Sequence, residues 1–362
     1  QTVGSDLIIS NNLKLDNTDG LSGLQSVGGN FLIGDSTNGQ QCDMTDINVP
    51  NLQSVGGLLR ISYMFDVESI SMNNLQTIGD YLEFYATVSA ENISFQNLES
   101  IAEEFLIHRA ESLNSMNFGS LVSVGDFFRI ERSGLTNLNG LGALEYVGFD
   151  FEINLNPNLQ TTSGLNSIAS VGRFLTIFDN DALTNLNSFE TLTAVTSGLK
   201  IDQNNVLTDI SGIQNIDLAG INPDDPFGPR LNMTQNPVLS ICNYPNICAY
   251  LATDYYANIV SNSGDCMTTF TLRDACENMD VSDVSSAEIQ MYVHQKNIHI
   301  SSPGEKINSV EIVDLNGKKW ISKENIRSNS FQINAVNISP KIIIVRIQTE
   351  KGRIETKKIM LK

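Results

Sequence analysis

Val147-Gly148-Phe149-Asp150-Phe151-Glu152-Ile153 is followed 24 residues later by Val171-Gly172-Arg173-Phe174-Leu175-Thr176-Ile177. The same phrase, Val-Gly-x-x-Phe/Leu-x-Ile, starts at Val3, Val27, Val55, Ile78, Ile101, Val124, Val147, Val171 and Val195, in steps of 23 to 28 residues. A fixed period of this length is the signature of a stacked-coil architecture. A degenerate tenth copy stands at Leu231 and Met233.

Within each copy, Phe31 and Ile33 alternate with Leu32, as in a short strand with two side chains inward and one outward. Apolar residues then return every third position, as at Leu135, Leu138, Leu141, Leu144 and Val147. That spacing fits extended or 3₁₀ turns along a coil, not an α-helix of 3.6 residues per turn. A coil of 23–24 residues is too short for a strand, a full helix and two loops. The expected fold is mainly β: a right-handed, single-stranded solenoid with one continuous parallel sheet and irregular segments on its other sides.

After the strand comes a corner, occupied by Asn12, Asn156, Asn180, Asn204 and Asn236. A stacked Asn both donates to and accepts from the backbone of adjacent coils, giving corner amides a partner. Met64, Thr87, Ala110 and Ser133 stand there in the middle copies, so the ladder is expected to break or the turn to differ.

This pattern resembles the leucine-rich-repeat superfamily, and most closely the receptor L-domain-like repeats of bacterial surface proteins, over about residues 1–276. The resemblance implies a right-handed superhelix that binds proteins or glycans and is rarely an enzyme.

The 362-residue chain carries a net charge of −19, unevenly spread. From residue 289 onward 13 Lys+Arg face 6 Asp+Glu, whereas the preceding body has 9 basic and 35 acidic groups. An acidic body argues against nucleic acid and anionic lipid as partners. No run of about 18 apolar residues is present, so no membrane insertion is expected. The start at Gln1, inside a repeat, suggests a processed mature form.

Four of the five cysteines, Cys242, Cys248, Cys266 and Cys276, follow the last copy. An open solenoid end needs a cap, and two disulfides there add roughly 2–4 kcal/mol each. Zinc is disfavoured, since the spacings form no Cys-x-x-Cys knuckle and no His lies near. Disulfides imply an oxidising compartment and hence export. Sequence leaves the pairing open; 242–266 with 248–276 is the arrangement taken forward. A short capping helix is expected over 249–259. Cys42, in the insertion 34–50, is left over as a free thiol.

Beyond a linker at 277–288, alternation over 309–315, a hairpin at Asn316-Gly317, and further strands at 331–334, 341–348 and 354–361 indicate a small antiparallel β-sandwich over 289–362. The domains are therefore a solenoid over 1–240, a cap over 241–276, the linker and the sandwich. The segments 310–318 and 352–362 resemble the C-terminal sorting domain of the type IX secretion system, without its usual Tyr-Pro-Asn-Pro opening. That resemblance implies engagement of secretion machinery and a place outside a Gram-negative cell, secreted or on its surface. The other reading is an accessory immunoglobulin-like module.

Nothing points to catalysis. His108, His294 and His299 have no nucleophile motif nearby, and no phosphate-binding loop exists. Acidic clusters at 43–46, 179–181 and 224–225 suit turn chemistry as well as Ca²⁺. No metal or cofactor is expected, and the protein is read as a non-enzyme. The competing readings are a polysaccharide-active β-helix enzyme, for which basic residues are scarce, and a purely structural surface component.

Alternation assigns three outward rows. The central one runs Ile8, Leu32, Arg60, Glu83, Leu106, Arg129, Glu152, Thr176, Lys200; flanking rows carry Tyr81, Phe127 and Phe174 on one side and Tyr85, His108 and Phe178 on the other. Exposed aromatics on a rigid sheet are usual contact anchors. Tyr81, Tyr85, His108, Phe127, Arg129, Phe174 and Phe178 are the candidate binding residues for a protein or glycan ligand.

Overall fold

In a computed structural model, residues 1–12, 14–34, 44–218, 230–253, 255–278, 289–294, 297–302, 305–339 and 342–361 are described. The chain divides into two units, Gln1–Arg273 and Asp274–Lys362.

The first unit is a parallel β-solenoid. Its main sheet has eleven strands, from Leu7–Ile9 and Phe31–Gly34 through Leu59–Ser62, Leu82–Tyr85, Phe105–Ala110, Phe128–Ser133, Phe151–Asn154, Phe174–Phe178 and Gly198–Asp202 to Leu231–Thr234 and Ala257–Val260. Every neighbour in it is parallel, and one strand comes from each coil. The inward positions Phe31, Ile33, Phe84, Phe105, Ile107, Phe128, Ile130, Phe151 and Ile153 are essentially water-free. The degenerate tenth copy is genuine: Leu231 and Met233 are buried beside Leu199 and Ile201.

One expectation is corrected. Three parallel sheets, not one, run along the coils. A nine-stranded sheet is built from the Val-Gly phrase itself, in two-residue strands such as Ser26–Val27 and Ser54–Val55. A four-stranded sheet joins Asp46–Asn48, Ser69–Ser71, Asn92–Ser94 and Ser115–Asn117. Later coils replace it with turns and 3₁₀ segments such as Asn187–Phe189 and Ser211–Ile213. There the three-residue spacing closes i→i+3 bonds, for example Leu144 N to Leu141 O at 3.0 Å.

Aromatic rings stack from coil to coil in the core. Phe105 lies 4.8 Å from Phe128, which lies 4.7 Å from Phe151, all nearly parallel. Such pairs add about 0.5–1.5 kcal/mol each beyond their buried area.

At the corner after the last nine strands of the main sheet, the backbone turns left-handed at a residue other than glycine: Tyr63, Ala86, Arg109, Arg132, Leu155, Asp179, Gln203, Gln235 and Ser261 all have φ between 53° and 62°. The next side chain points inward. In five successive coils it is asparagine, and the ladder extends one rung beyond expectation, to Asn262. Each Oδ1 accepts the backbone N–H of the preceding rung: Asn156 N to Asn180 3.1 Å, Asn180 N to Asn204 3.2 Å, Asn204 N to Asn236 3.0 Å and Asn236 N to Asn262 2.9 Å. Ser133 ends it with its own N–H on Asn156. The ladder breaks where expected, at buried Met64, Thr87 and Ala110. Asn12 is exposed, and its side chain donates to the Ser10 carbonyl of its own corner.

Close stacking also limits side chains at some corners. Gly164 sits at φ +108°, and a Cβ there would lie 2.0 Å from the Leu138 carbonyl oxygen. Gly164→Ala is expected to lower stability by about 1–2 kcal/mol, since it combines left-handed strain with a backbone clash. Denaturant unfolding at unchanged slope checks this; an unaltered midpoint would count against close coil contact here.

At the end of the solenoid the helix differs from expectation. It spans Pro245–Leu251, with proline in the first turn, and the segment expected to continue it instead forms the eleventh strand, Ala257–Val260. Cys242 is bonded to Cys266, as taken forward, with Cα atoms 5.5 Å apart, and Cys248 and Cys276 are each disulfide-bonded as well. A second helix, Thr269–Asn278, follows.

The second unit has two antiparallel sheets. Three strands, Gln290–His294, Asn297–Ser301 and Ser330–Asn334, form one; Ile307–Asp314, Lys319–Ser328, Ile342–Thr349 and Ile354–Met360 form the other. Ile298, Ile300, Val310, Ile312, Val345 and Ile347 belong to one shared core. The expected hairpin turn is present at Gly317 (φ +79°), and a second turn stands at Gly352 (φ +86°). At the first, Asp314 accepts the N–H groups of Asn316 and Lys318 and the Trp320 indole N–H. The indole bond foremost, together with those N–H groups, holds the Asp314 carboxyl below the ordinary range. Cys42, Asp43, Asp224, Asp225 and residues 279–288 of the expected linker lie outside the described residues, while 277 and 278 end the second helix.

Candidate functional site

The outward face of the main sheet is the surface that alternation points to, and its three rows stand in the expected register. Leu32 pairs with Arg60, Arg60 with Glu83, Glu83 with Leu106, Leu106 with Arg129 and Arg129 with Glu152. A one-residue slip would bury these charges, so the register is strongly specified.

The row is held by ion pairs. Arg60 Nε bonds Glu83, and its Nη2 donates to the Tyr81 hydroxyl at 2.7 Å. Arg129 Nε bonds Glu152 at 2.6 Å, and Asn154 adds a second donor to the same carboxylate. These half-exposed pairs are worth about 0.2–1 kcal/mol each. Arg129, a candidate contact residue, is therefore already engaged within the fold.

The aromatic candidates separate into groups. Tyr85 and His108 are neighbours in register and stack with centroids 5.1 Å apart and planes 3° from parallel. His108 Nδ1 is 3.3 Å from Glu131 on the following coil. Tyr81 lies at the Arg60 end of the opposite row, where burial above all, and nearby carboxylates, push its phenol up. Phe127 meets Phe149 edge to face at 4.9 Å. Phe178 is half-buried three coils beyond His108.

Phe174 is a different case. It is only 3% exposed and is not presented to solvent. Neighbouring cations cover its ring, with Lys200 Nζ at 4.1 Å and Arg173 Cζ at 5.0 Å from the centroid. Gly198 beside it leaves room for the ring, since a Cβ there would lie 2.9 Å from Phe174. The register expected for Phe174 is correct; alternation carries no information about such cover.

Two residues on this face were missed. Tyr63 sits at the left-handed corner position, one residue beyond the alternating strand, and lies 5.2 Å from Tyr85; Phe65 packs edge-on against it. Partial desolvation and the Tyr85 hydroxyl raise the Tyr63 phenol. An aromatic at a corner otherwise held by mixed polar and aliphatic residues was the available signal. Together Arg60, Ser62, Tyr63, Glu83 and Tyr85 line an open hollow of about 180 Å³.

Beside this face lie carboxylates with raised affinity for protons. Glu103 is raised by its hydrogen bond to Asp80, Glu104 by burial and by Asp126, Asp150 by burial against the opposing pull of the Phe174 N–H and Arg173, and Asp179 by burial and by Asp181. A carboxyl raised in the folded state binds its proton more tightly folded than unfolded. These four groups therefore lower stability at neutral pH, and the loss is relieved as pH falls towards the ordinary carboxylate range. The solenoid's melting midpoint is expected to be higher at pH 5.5 than at pH 7.5; the reverse order in a pH series of thermal melts would refute this. Among the described residues no group of three or more His, Cys, Asp or Glu is arranged to hold a metal ion.

Comparison with known proteins adds one match. Residues 278–361 match a domain family of unknown function, DUF8694. No curated protein matches the chain.

Proposed function

We propose that this is a non-catalytic binding protein, secreted or surface-attached, that captures a protein or glycan on the outward face of its main sheet. A rigid parallel solenoid is compatible with binding or structural roles. The observation favouring binding is the aromatic group Tyr63, Tyr85 and His108, gathered from three successive coils beside an open hollow. A purely structural solenoid needs no such group.

The disulfides point to an oxidising compartment, and no helix among the described residues is long and apolar enough to cross a membrane. We assign the C-terminal sandwich to export through secretion machinery at a Gram-negative surface, a reading supported by the segments 310–318 and 352–362. The main-sheet arginines favour binding over cleavage of an acidic polysaccharide, because Arg60, Arg129 and Arg173 each pair with a carboxylate of the protein itself.

The test is capture on arrays of glycans and of proteins. At least one ligand is expected, with signal abolished in a Tyr85→Ala/Phe178→Ala variant that keeps its melting midpoint. Blank arrays, or signal indifferent to those changes, would sink the proposal.

A further inference from the structure

The flanking row of the main sheet runs, coil by coil, Gly34, Ser62, Tyr85, His108. Tyr85 and His108 form a two-ring stack. Coils repeat at roughly 4.8 Å, so the next ring position on the Tyr85 side falls over Ser62. No ring of the row stands there: Ser62 has only a hydroxymethyl group, and Gly34 beyond it has no side chain. The stack thus ends in a step at Tyr85, which lines the hollow together with the Tyr63 ring 5.2 Å away and the nearly buried Ser62.

Two walls frame that step. Tyr63, tilted 57° to Tyr85, closes the corner side and is itself steadied by Phe65. Its φ of 56° is a conformation that asparagine or glycine adopts more cheaply than tyrosine. On the other side stand Arg60 and Glu83, with side chains 31% and 15% exposed. Arg60 has five N–H donors and commits them only in part to Glu83 and Tyr81; Glu83 keeps acceptor capacity beyond the Arg60 bond.

We propose that this step is a subsite for one pyranose ring of a neutral glycan, stacked on Tyr85, walled by Tyr63, with its hydroxyls bonded to Arg60 and Glu83. The inference rests on the binding reading above and narrows it. Adjacent hydroxyls both donate and accept, which suits a guanidinium beside a carboxylate. An apolar or aromatic peptide side chain would cover that pair without partners, at a cost. The hollow, about 180 Å³, is smaller than the roughly 300–1,000 Å³ that encloses a drug-sized molecule, so it suits a single ring of a longer chain. Glu83, Glu104 and Asp80 nearby, within an acidic body, disfavour an anionic sugar.

The full chain is titrated calorimetrically with neutral hexasaccharides of glucose, mannose, xylose and galactose. At least one is expected to bind, about tenfold or more weaker in Tyr85→Ala and in Arg60→Met, and near parental strength in Tyr85→Phe. Tyr63→Asn, which suits the left-handed corner, removes the side wall without strain and is also expected to weaken binding. Tyr146→Ala, an exposed aromatic of the nine-stranded sheet, is the control expected to change nothing. Binding that survives both Tyr85→Ala and Tyr63→Asn overturns the subsite. If no hexasaccharide binds while the arrays show another ligand lost with Tyr85→Ala/Phe178→Ala, the sugar inference falls and the broader reading stands; if the arrays are also blank, both fall.

Discussion

Asn180→Ala is expected to destabilise the solenoid by about 3 kcal/mol, among the largest effects of any single substitution on its surface-to-core corners. The side chain is fully buried and makes bonds in both directions. Its Oδ1 accepts from the backbone N–H and the Nδ2 of Asn156, both at 3.1 Å; its Nδ2 donates to the Ile153 and Phe178 carbonyls at 2.9 and 3.1 Å. Truncation leaves these groups in a dry corner, and one orphaned buried group costs roughly 1–3 kcal/mol. Partial entry of water keeps the total below the simple sum. Asn12→Ala is the matched comparison: the same repeat position, but exposed, with a side-chain bond to the Ser10 carbonyl of its own corner. It is expected to change stability by less than about 0.5 kcal/mol. Urea unfolding of both variants decides the matter. Equal effects would mean that the ladder carries no special weight and that Asn serves only the local turn.

The contrast between these two asparagines shows what could be read from sequence. The repeat, the inward positions and the register of the outward rows were legible because each recurs coil after coil, and a slip would bury Arg60 or Glu83. The corner Asn residues were legible for the same reason, up to Asn236. Asn262 was not, because no Val-Gly phrase precedes its strand, Ala257–Val260. The extra sheets escaped notice for a different physical reason: strands of two or three residues, such as Ser26–Val27 or Asp46–Asn48, are too short to display a period of two. On the candidate face, strand alternation found Tyr85 and His108 but could not place Tyr63, which lies past the strand end where the backbone is left-handed. Nor could it foresee the burial of Phe174, which depends on Arg173, Lys200 and the missing side chain of Gly198. Lys200 and Gly198 belong to the following coil, and contacts between coils have no signature within one.

Removing the Cys242–Cys266 bridge, as Cys242→Ala/Cys266→Ala, is expected to cost about 3 kcal/mol. The two residues are 24 apart in sequence, and closing a loop of that length removes roughly this much chain entropy from the unfolded state. The effect should not stay local, because the bridge is tied to the last rung of the asparagine ladder. Asn262 Nδ2 donates to the Cys266 carbonyl at 3.0 Å and to the Met233 carbonyl at 2.8 Å, while its Oδ1 accepts the Asn236 N–H. In a solenoid each coil contacts only its neighbours, so loosening the end coil frees the adjacent one next. Hydrogen exchange should therefore show protection lost first at the Asn236 amide, then at Asn204, with Asn156 nearly unaffected. Uniform loss across the ladder would indicate that the solenoid opens as one unit. Unchanged protection at Asn236 would show that the bridge staples the unfolded chain without holding the ladder's end.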